Sequence, residues 1–364
     1  MPGHDIIVIG ASAGGVEVLI DIVRELPADL PAAVFVVVHV APNSSTVLPA
    51  VLNRAGKMPA SHASPDELIR MGRIYVARPD LHLLVKDGDR PHVRLGRGPK
   101  ENSARPAVDP LFRSAARAFG SRVIGVVLSG SLDDGTVGLD VVKRAGGIAV
   151  VQDPEQAMFP GMPRSAVENV PIDYIVPKEQ IAALLARLVH EPAPKVEVPM
   201  PDRIKQEADM AELDAGSIAS HERPGTPSAF TCPECHGTLF ELSDGHLIRF
   251  RCRTGHAYSA ESLMSEQGDN LEAAMYTAMT ALKERSALAE RLAERARGRG
   301  HEITARQFAE QSRDAERQAE LIRQALLAAE AGPQSGPVPT EGNGDSTSSK
   351  AASAWTSATA RRGR

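Results

Sequence analysis

Long hydrophobic runs are missing from this chain of 364 residues, and stretches such as VIGVVLSG and FVVVHV fall far short of the roughly 18 apolar residues that cross a bilayer. Membrane insertion is therefore not expected. A basic excess is missing too. Lys and Arg total 41 against 46 Asp and Glu, a net charge of -5, so no global field draws the chain to nucleic acid or anionic lipid. The amino terminus has no basic segment followed by a cleavable apolar stretch, because Asp5 leads straight into a strand pattern. Cysteine is scarce: all three lie between Cys232 and Cys252. Without an export signal, that odd number predicts reduced thiols in a cytoplasmic protein rather than a disulfide framework.

What is present begins with IIVIG-ASAGG at Ile6 to Gly15, followed by VEVLIDIVREL. An apolar run, a glycine-tight turn and a helical pattern with Ser12 at the apex fit a nucleophile elbow, in which small neighbours let the hydroxyl project at a strand end. The same letters approach the dinucleotide fingerprint G-x-G-x-x-G, but Ser12 stands where the middle glycine lets backbone reach a pyrophosphate. The next β-run, AAVFVV, would end in Asp or Glu to hold a ribose; here it ends in His39. A serine and a histidine leaving adjacent strands suggest a nucleophile and its base. A third run, VIGVVL, leads into Ser129-Gly130-Ser131-Leu132-Asp133-Asp134-Gly135, which supplies a carboxylate to orient the base. Spacing leaves Asp133 and Asp134 open, and Asp133 can equally serve as a helix cap or turn residue.

From Asp5 to about Val189, strand patterns (Ile6–Ile9, Val34–Val38, Val123–Leu128, Ile148–Val151, Ile172–Val176) alternate with helical ones (Val16–Leu26, Asp109–Phe119, Thr136–Arg144, Glu179–Val189). This predicts a doubly wound α/β domain with a mainly parallel sheet over residues 1–190. Shorter pieces between Ile74 and Leu95 suggest an antiparallel insertion or sheet edge. Residues 191–229, rich in Pro and charge, read as a linker with one short helix around Ile204–Leu213. Two long helical patterns over 268–330, broken at Gly298-Arg299-Gly300, predict an antiparallel hairpin. Its seam is expected at Leu271, Met275, Leu282, Phe308, Ser312, Ala315, Ala319, Ile322 and Leu326. Composition over 331–364 predicts disorder.

Residues 230–260 contain Cys232-x₂-Cys235, sixteen intervening residues, then Cys252-x₃-His256, with TLFEL and HLIRF around Ser243-Asp244-Gly245. Two knuckles joined by a hairpin predict a zinc ribbon, with three thiolates and one imidazole closing a tetrahedral shell around a structural zinc. The linker predicts that this unit is buried independently of the first domain. Cys232–His236 also spells a haem-attachment string, which requires export, and the C-x-x-C lacks the βαβ setting of a redox pair. Arg249, Arg251 and Arg253 alternate along one strand and are expected on a solvated face rather than at a nucleic-acid interface.

The motifs together resemble the catalytic domain of the chemotaxis protein-glutamate methylesterase family (CheB). IGASAGG, VVVHVAP and LSGSLDDGTVGL match its serine, histidine and aspartate segments, while ARPAVDPLFRSAA (Arg105, Asp109) and VQDPEQAMFPGMPRSAV (Met158, Met162) match two further blocks. The resemblance implies Ser12 as nucleophile, His39 as general base and Asp134 as orienting acid, with no cofactor for catalysis. The order Ser, His, Asp differs from that of α/β-hydrolases. It further implies hydrolysis of glutamate γ-methyl esters on the cytoplasmic helices of methylated chemoreceptors, releasing methanol, and deamidation of receptor glutamines. The family pattern has a methionine near Ser131 and a glycine near Leu132, and an amino-terminal receiver domain that is not expected before a strand starting at Ile6; a separate receiver or signalling protein is the expected substitute. The carboxyl-terminal extension is expected to approach the crevice or to recruit receptor helices. A non-catalytic signalling scaffold binding receptor helices is the alternative reading, and a nucleotide-binding protein the third.

Overall fold

The protein was analysed as a computed structural model that describes residues 3–43, 47–194, 201–211, 225–244 and 247–330. The chain divides into two units, Met1–Leu271 and Glu272–Arg364.

In the first unit, short β-branched runs form seven parallel strands: β1 (Ile6–Ala11), β2 (Ala33–Val38), β3 (Ala60–His62), β4 (Arg73–Val76), β7 (Val123–Val127), β8 (Ile148–Gln152) and β9 (Tyr174–Val176), in the order β3-β4-β2-β1-β7-β8-β9. Every residue of β1, β2 and β7 is buried, as expected of parallel strands covered on both faces. Alternation sorts their side chains. Ile6 and Val8 join a core with Leu111 and Phe112 of α3 (Val108–Phe119) and Leu139 of α4 (Thr136–Arg144). Ile7 and Ile9 join the opposite core with Leu19 and Ile22 of α1 (Gly15–Glu25), Leu52 of α2 (Leu48–Ala55) and Leu185 of α6 (Lys178–Leu188). Strand order reverses at β1 and β7, and ligands of such sheets bind at the carboxyl ends beside that reversal.

Within the sheet domain, α2, β3 and α5 (Gly161–Asn169) lie outside the predicted patterns, each short and without a full period of apolar residues. The Ile74–Leu95 pieces part company. β4 enters the main sheet, pairing in parallel with β2 and β3, where Tyr75 stacks on Phe35 at 5.0 Å. Only β5 (His82–Lys86) and β6 (His92–Gly96) pair antiparallel.

The predicted short helix forms as α7 (Asp202–Ala211), and the cysteine-containing unit forms the four antiparallel strands β10 (Thr226–Thr231), β11 (Thr238–Asp244), β12 (Leu247–Cys252) and β13 (Ala257–Ser259). Most of the linker, and Gly245 of the predicted turn, lie outside the described residues. The expected independence of this unit is overturned. Asn102 N–H donates to Ala257 O at 2.8 Å and Ala257 N–H to Lys100 O at 3.2 Å, joining β13 to the segment before α3. The expected solvated face is overturned for Arg249 and Arg251, whereas Arg253, just beyond β12, is exposed as expected. Arg249 is 5% exposed and Arg251 1%. Arg249 pairs with Glu207 at 2.5 Å, and Arg251 with Glu207 at 3.2 Å and Glu101 at 3.3 Å. Glu101 also pairs with Arg113 at 2.7 Å. Charges of this kind are buried only when paired, and the carboxylates stand on α7 and on the segment before α3, too far along the chain for strand periodicity to reveal them.

The helix α8 (Ala260–Arg297) starts at the end of β13, well before the predicted start, and α9 (Glu302–Glu330) follows the glycine break. In the second unit Ala289, Ala293, Ala296, Ala305, Ser312, Ala315, Ala319 and Leu326 are buried, and the Ser286 and Ser312 hydroxyls bond at 2.9 Å. The seam is thus made of small residues. Leu271, expected within it, is 62% exposed and is the last residue of the first unit. The predicted disordered tail, 331–364, lies outside the described residues. Among the described residues no helix is long and apolar enough to cross a membrane.

Candidate active site and metal site

Strand register brings Ser12 and His39 together. β1 and β2 pair up to Ala11 and Val38, so Ser12 and His39 are the next residues out on neighbouring strands, and His39 N–H donates to Ala11 O at 3.2 Å. The turn after β1 closes through Gly15 N–H to Ser12 O at 3.0 Å. Gly14 has φ 69 and a Cβ there would lie 2.9 Å from Ser129 Oγ, so the left-handed bend and the space both require glycine. Ser129, just beyond β7, ties three loops: its O accepts from Ser12 N at 3.0 Å, its Oγ donates to Ala13 O at 2.8 Å and accepts from Phe159 N at 3.0 Å.

The choice left open by spacing falls to Asp134. Its Oδ2 accepts from His39 Nε2 at 2.7 Å and Val108 N at 2.6 Å; its Oδ1 accepts from Asn102 Nδ2 at 3.0 Å and Asp109 N at 3.2 Å. Two of these donors are the first N–H groups of α3, which lack intrahelical partners and form the positive end of the helix. Burial alone would raise the Asp134 pKa, but the hydrogen bond and charge of His39, then Val108 N–H and the Asn102 amide, lower it. Asp134 is therefore an acceptor, and His39 presents Nε2–H to it. Ser12 Oγ has no hydrogen-bond partner among the described residues; such links often tighten only with substrate.

Asp133 points elsewhere. Its Oδ1 accepts from Ser259 Oγ at 2.7 Å and Ser262 Oγ at 3.0 Å, and burial pushes its pKa up to about 6. Asp109 accepts from Gly135 N at 3.1 Å and Gly138 N at 2.6 Å, and burial and the adjacent Asp134 raise its pKa. Arg105 holds Asp80 at 2.6 Å and, with Asn102, lines a cleft of about 380 Å³ that opens at His39. Met158, Phe159 and Leu132 are exposed, at 72%, 40% and 38%. Met162 is buried. Residue patterns did not single out Asn102, Ser129 or Gln152, which accepts from Ser129 N at 2.9 Å. Polar residues acting through other residues carry no spacing signal: Ser129 and Gln152 lie inside the LSGSLDDGTVGL and VQDPEQAM blocks and Asn102 just before ARPAVDP, yet nothing in those strings marks them.

The four predicted metal ligands converge. One ligand atom from each of Cys232, Cys235, Cys252 and His256 lies within 4.8 Å of every other. Cys235 Sγ is 3.6 Å from Cys252 Sγ, and His256 Nδ1 is 3.7 and 3.5 Å from the sulfurs of Cys232 and Cys252. A tetrahedral zinc with bonds of about 2.3 Å to sulfur requires S···S edges of about 3.8 Å, so the cluster can hold a metal ion of that size.

A doubly wound sheet with serine, histidine and a hydrogen-bonded carboxylate at the carboxyl ends of strands has the layout of a serine hydrolase. Residues 7–185 match the family model for CheB methylesterase. The chain is 34% identical over 190 residues to a Pyrococcus abyssi protein-glutamate methylesterase/protein-glutamine glutaminase, covering 52% of each chain. It is 36% identical over 185 residues to a Leptospira interrogans relative, covering 51% of this chain and 95% of that one. Among solved structures it resembles the Thermotoga maritima CheB methylesterase catalytic domain, with a TM-score of 0.50, 34% identity, and coverage of 52% of this chain and 100% of that one. The chain belongs to the CheB methylesterase family. It spans about half the length of relatives such as the Pyrococcus protein.

Proposed function

We propose that the protein is a serine esterase that hydrolyses glutamate γ-methyl esters on the cytoplasmic helices of chemoreceptors, and receptor glutamine amides by the same steps. The observation that carries this reading is the 2.7 Å bond from His39 Nε2 to Asp134, with Ser12 in register beside the same histidine. His39 Nδ1 takes the proton of Ser12 Oγ as the oxygen attacks the γ-carbonyl carbon. The tetrahedral intermediate collapses, its C–O bond to the methoxy group breaks, and His39 passes the proton to the departing methoxide, giving methanol. Water, deprotonated by His39, then attacks the acyl-serine, and the glutamate acid leaves as Ser12 recovers its proton. With a glutamine substrate ammonia replaces methanol. The Ala13 N–H is the candidate oxyanion donor, together with the Ser131 loop; one such donor is worth about 10²–10³ in rate. The exposed Leu132, Met158 and Phe159 supply an apolar rim for an amphipathic receptor helix. Cys232, Cys235, Cys252 and His256 hold a structural zinc that leaves no position open for substrate. A cytoplasmic location, and regulation by a separate receiver or signalling protein, belong to the same reading, as does an esterase domain bounded at 1–190.

Methanol release from a methylated receptor tests it. Ser12→Ala and His39→Ala should abolish release with thermal unfolding unchanged. Asp134→Asn should lower kcat by about 10⁴, because the imidazole loses the partner that fixes its tautomer. Near-normal turnover by Ser12→Ala would remove Ser12 as the nucleophile, and a parent chain that binds receptor helices but releases no methanol would favour the scaffold.

A further inference from the structure

The cysteine unit docks onto a segment that also carries a donor to the active-site carboxylate. Asn102 lies at the junction. Its amide nitrogen donates to Asp134 Oδ1 at 3.0 Å and to Asp109 Oδ2 at 3.1 Å. Its amide oxygen accepts from Ser259 N at 3.0 Å, and its backbone N–H donates to Ala257 O at 2.8 Å. One side chain thus touches strand β13 and the active-site carboxylate at the same time.

A second tether converges on the same strand. Asp133, the neighbour of Asp134 in sequence, is held by the hydroxyls of Ser259 and Ser262 at 2.7 and 3.0 Å. The backbone adds a third observation. Asn102 and Ser103 are consecutive non-glycine residues at φ 50 and φ 61, a conformation that persists where its surroundings over-determine it. Those surroundings include β13, which bonds Asn102 through Ala257 and Ser259 and begins at the residue after His256. The pairing of Arg249 and Arg251 with Glu207 and Glu101 keeps the two surfaces together.

We propose that the cysteine unit is a metal-set support for the active-site carboxylate, with Asn102 as the positioning residue between them; the inference rests on the esterase reading above. Metal bound by Cys232, Cys235, Cys252 and His256 fixes the knuckle that precedes β13. β13 fixes Asn102, and Asn102 fixes the carboxylate that orients His39. Emptying the metal site releases Asn102 and slows the chemical step without unfolding the parallel sheet.

The test uses the full chain, loaded with zinc, stripped by a chelator and reloaded, alongside Asn102→Ala and Cys235→Ser. Three quantities are read: kcat and KM for ester hydrolysis, hydrogen exchange of β1 and β7, and the low-field proton resonance of the His39–Asp134 hydrogen bond. Stripping should lower kcat about tenfold, the scale of one lost hydrogen bond to a charged group, with KM within twofold, β1 and β7 still protected, and recovery on adding zinc. Cys235→Ser should behave as the stripped chain. Asn102→Ala should show the same loss and no further response to the chelator, since effects carried through one residue do not add. A zinc-free chain with unchanged kcat, a purified chain that binds no zinc, or an Asn102→Ala variant as sensitive to stripping as the parent would each overturn the proposal. If the chain hydrolyses no ester, the esterase reading fails, and the resonance alone decides the support: lost on stripping and restored by zinc if the support exists, indifferent to zinc if it does not.

Discussion

Leu132 sits at φ 58 in the loop between β7 and α4 with 38% of its surface exposed, at the point where the family pattern has a glycine nearby. A side chain in the left-handed region costs roughly 1–2 kcal/mol, and little apolar burial offsets it here. Glycine carries its own entropic penalty of about 0.5–1 kcal/mol. Leu132→Gly is therefore expected to raise stability by about 0.5–1 kcal/mol, the difference between these terms, in urea melts. An unchanged or lower midpoint would place the strain elsewhere. The two aspartates beside it show how position alone divides the chemistry of identical side chains. Asp134 meets four donors, two of them at a helix N-terminus, and stays ionised; Asp133 meets two hydroxyls, and burial raises its pKa to about 6.

At the scale of elements, the turn after β1 and the loop after β7 approach so closely that side chains are excluded between them. Gly130 has no left-handed backbone angle to demand glycine. Space demands it: a Cβ would lie 2.1 Å from Met162 Sδ and 2.9 Å from Ser12 Cβ. Met162 is fully buried, so the thioether has little room to yield, and part of the displacement passes to Ser12. Gly130→Ala should cost about 1–3 kcal/mol, as overpacking does, and should lower kcat well beyond that loss of stability while leaving the protein folded. Thermal unfolding and steady-state kinetics on the same sample check it; a normal kcat would mean that Met162 alone absorbs the methyl group. The helical hairpin follows the same rule, since its alanines bring α8 and α9 together by omitting side chains rather than by interlocking long ones.

For the whole molecule, the buried cluster of Arg113, Arg249, Arg251, Glu101 and Glu207 decides whether the cysteine unit is an appendage or part of the first unit. Burial opposes ionisation of Glu207, but Arg249, Arg251 and Arg113 hold its pKa well below the usual carboxylate range. Glu101 is lowered likewise by Arg113 and Arg251 against its burial. A carboxylate whose folded pKa is depressed binds fewer protons folded than unfolded. Its contribution is complete above the unfolded value of about 4.3 and is lost as pH falls through the folded value. Glu207→Gln leaves three guanidinium groups facing one carboxylate and should cost about 3–5 kcal/mol at pH 7, the scale for removing one partner of a buried pair. The gap between parent and variant should narrow as pH falls below about 4, where the unfolded parent takes up a proton that the folded parent still excludes. A gap independent of pH would assign the cost to packing.

The sequence by itself determined the parts whose signal is local. Apolar runs of five or six residues alternating with amphipathic helices set the doubly wound sheet. Gly14 and Gly15 set the turn that carries Ser12, and the spacing of Cys232, Cys235, Cys252 and His256 set the ligand cluster, because knuckles and hairpins are built from near neighbours in the chain. Tertiary structure alone decided what depends on distant partners. The bond from His39 to Asp134 spans 95 residues, and adjacent aspartates with the same chemistry differ only in what the fold places opposite them. Arg249 and Arg251 follow the period of a solvated strand face, yet they are buried because Glu101 and Glu207 arrive from 150 and 42 residues away in sequence. Asn102 has no periodic or motif signature at all. Its place follows from a strand that docks against its backbone, and a contact between surfaces leaves no repeat in either sequence.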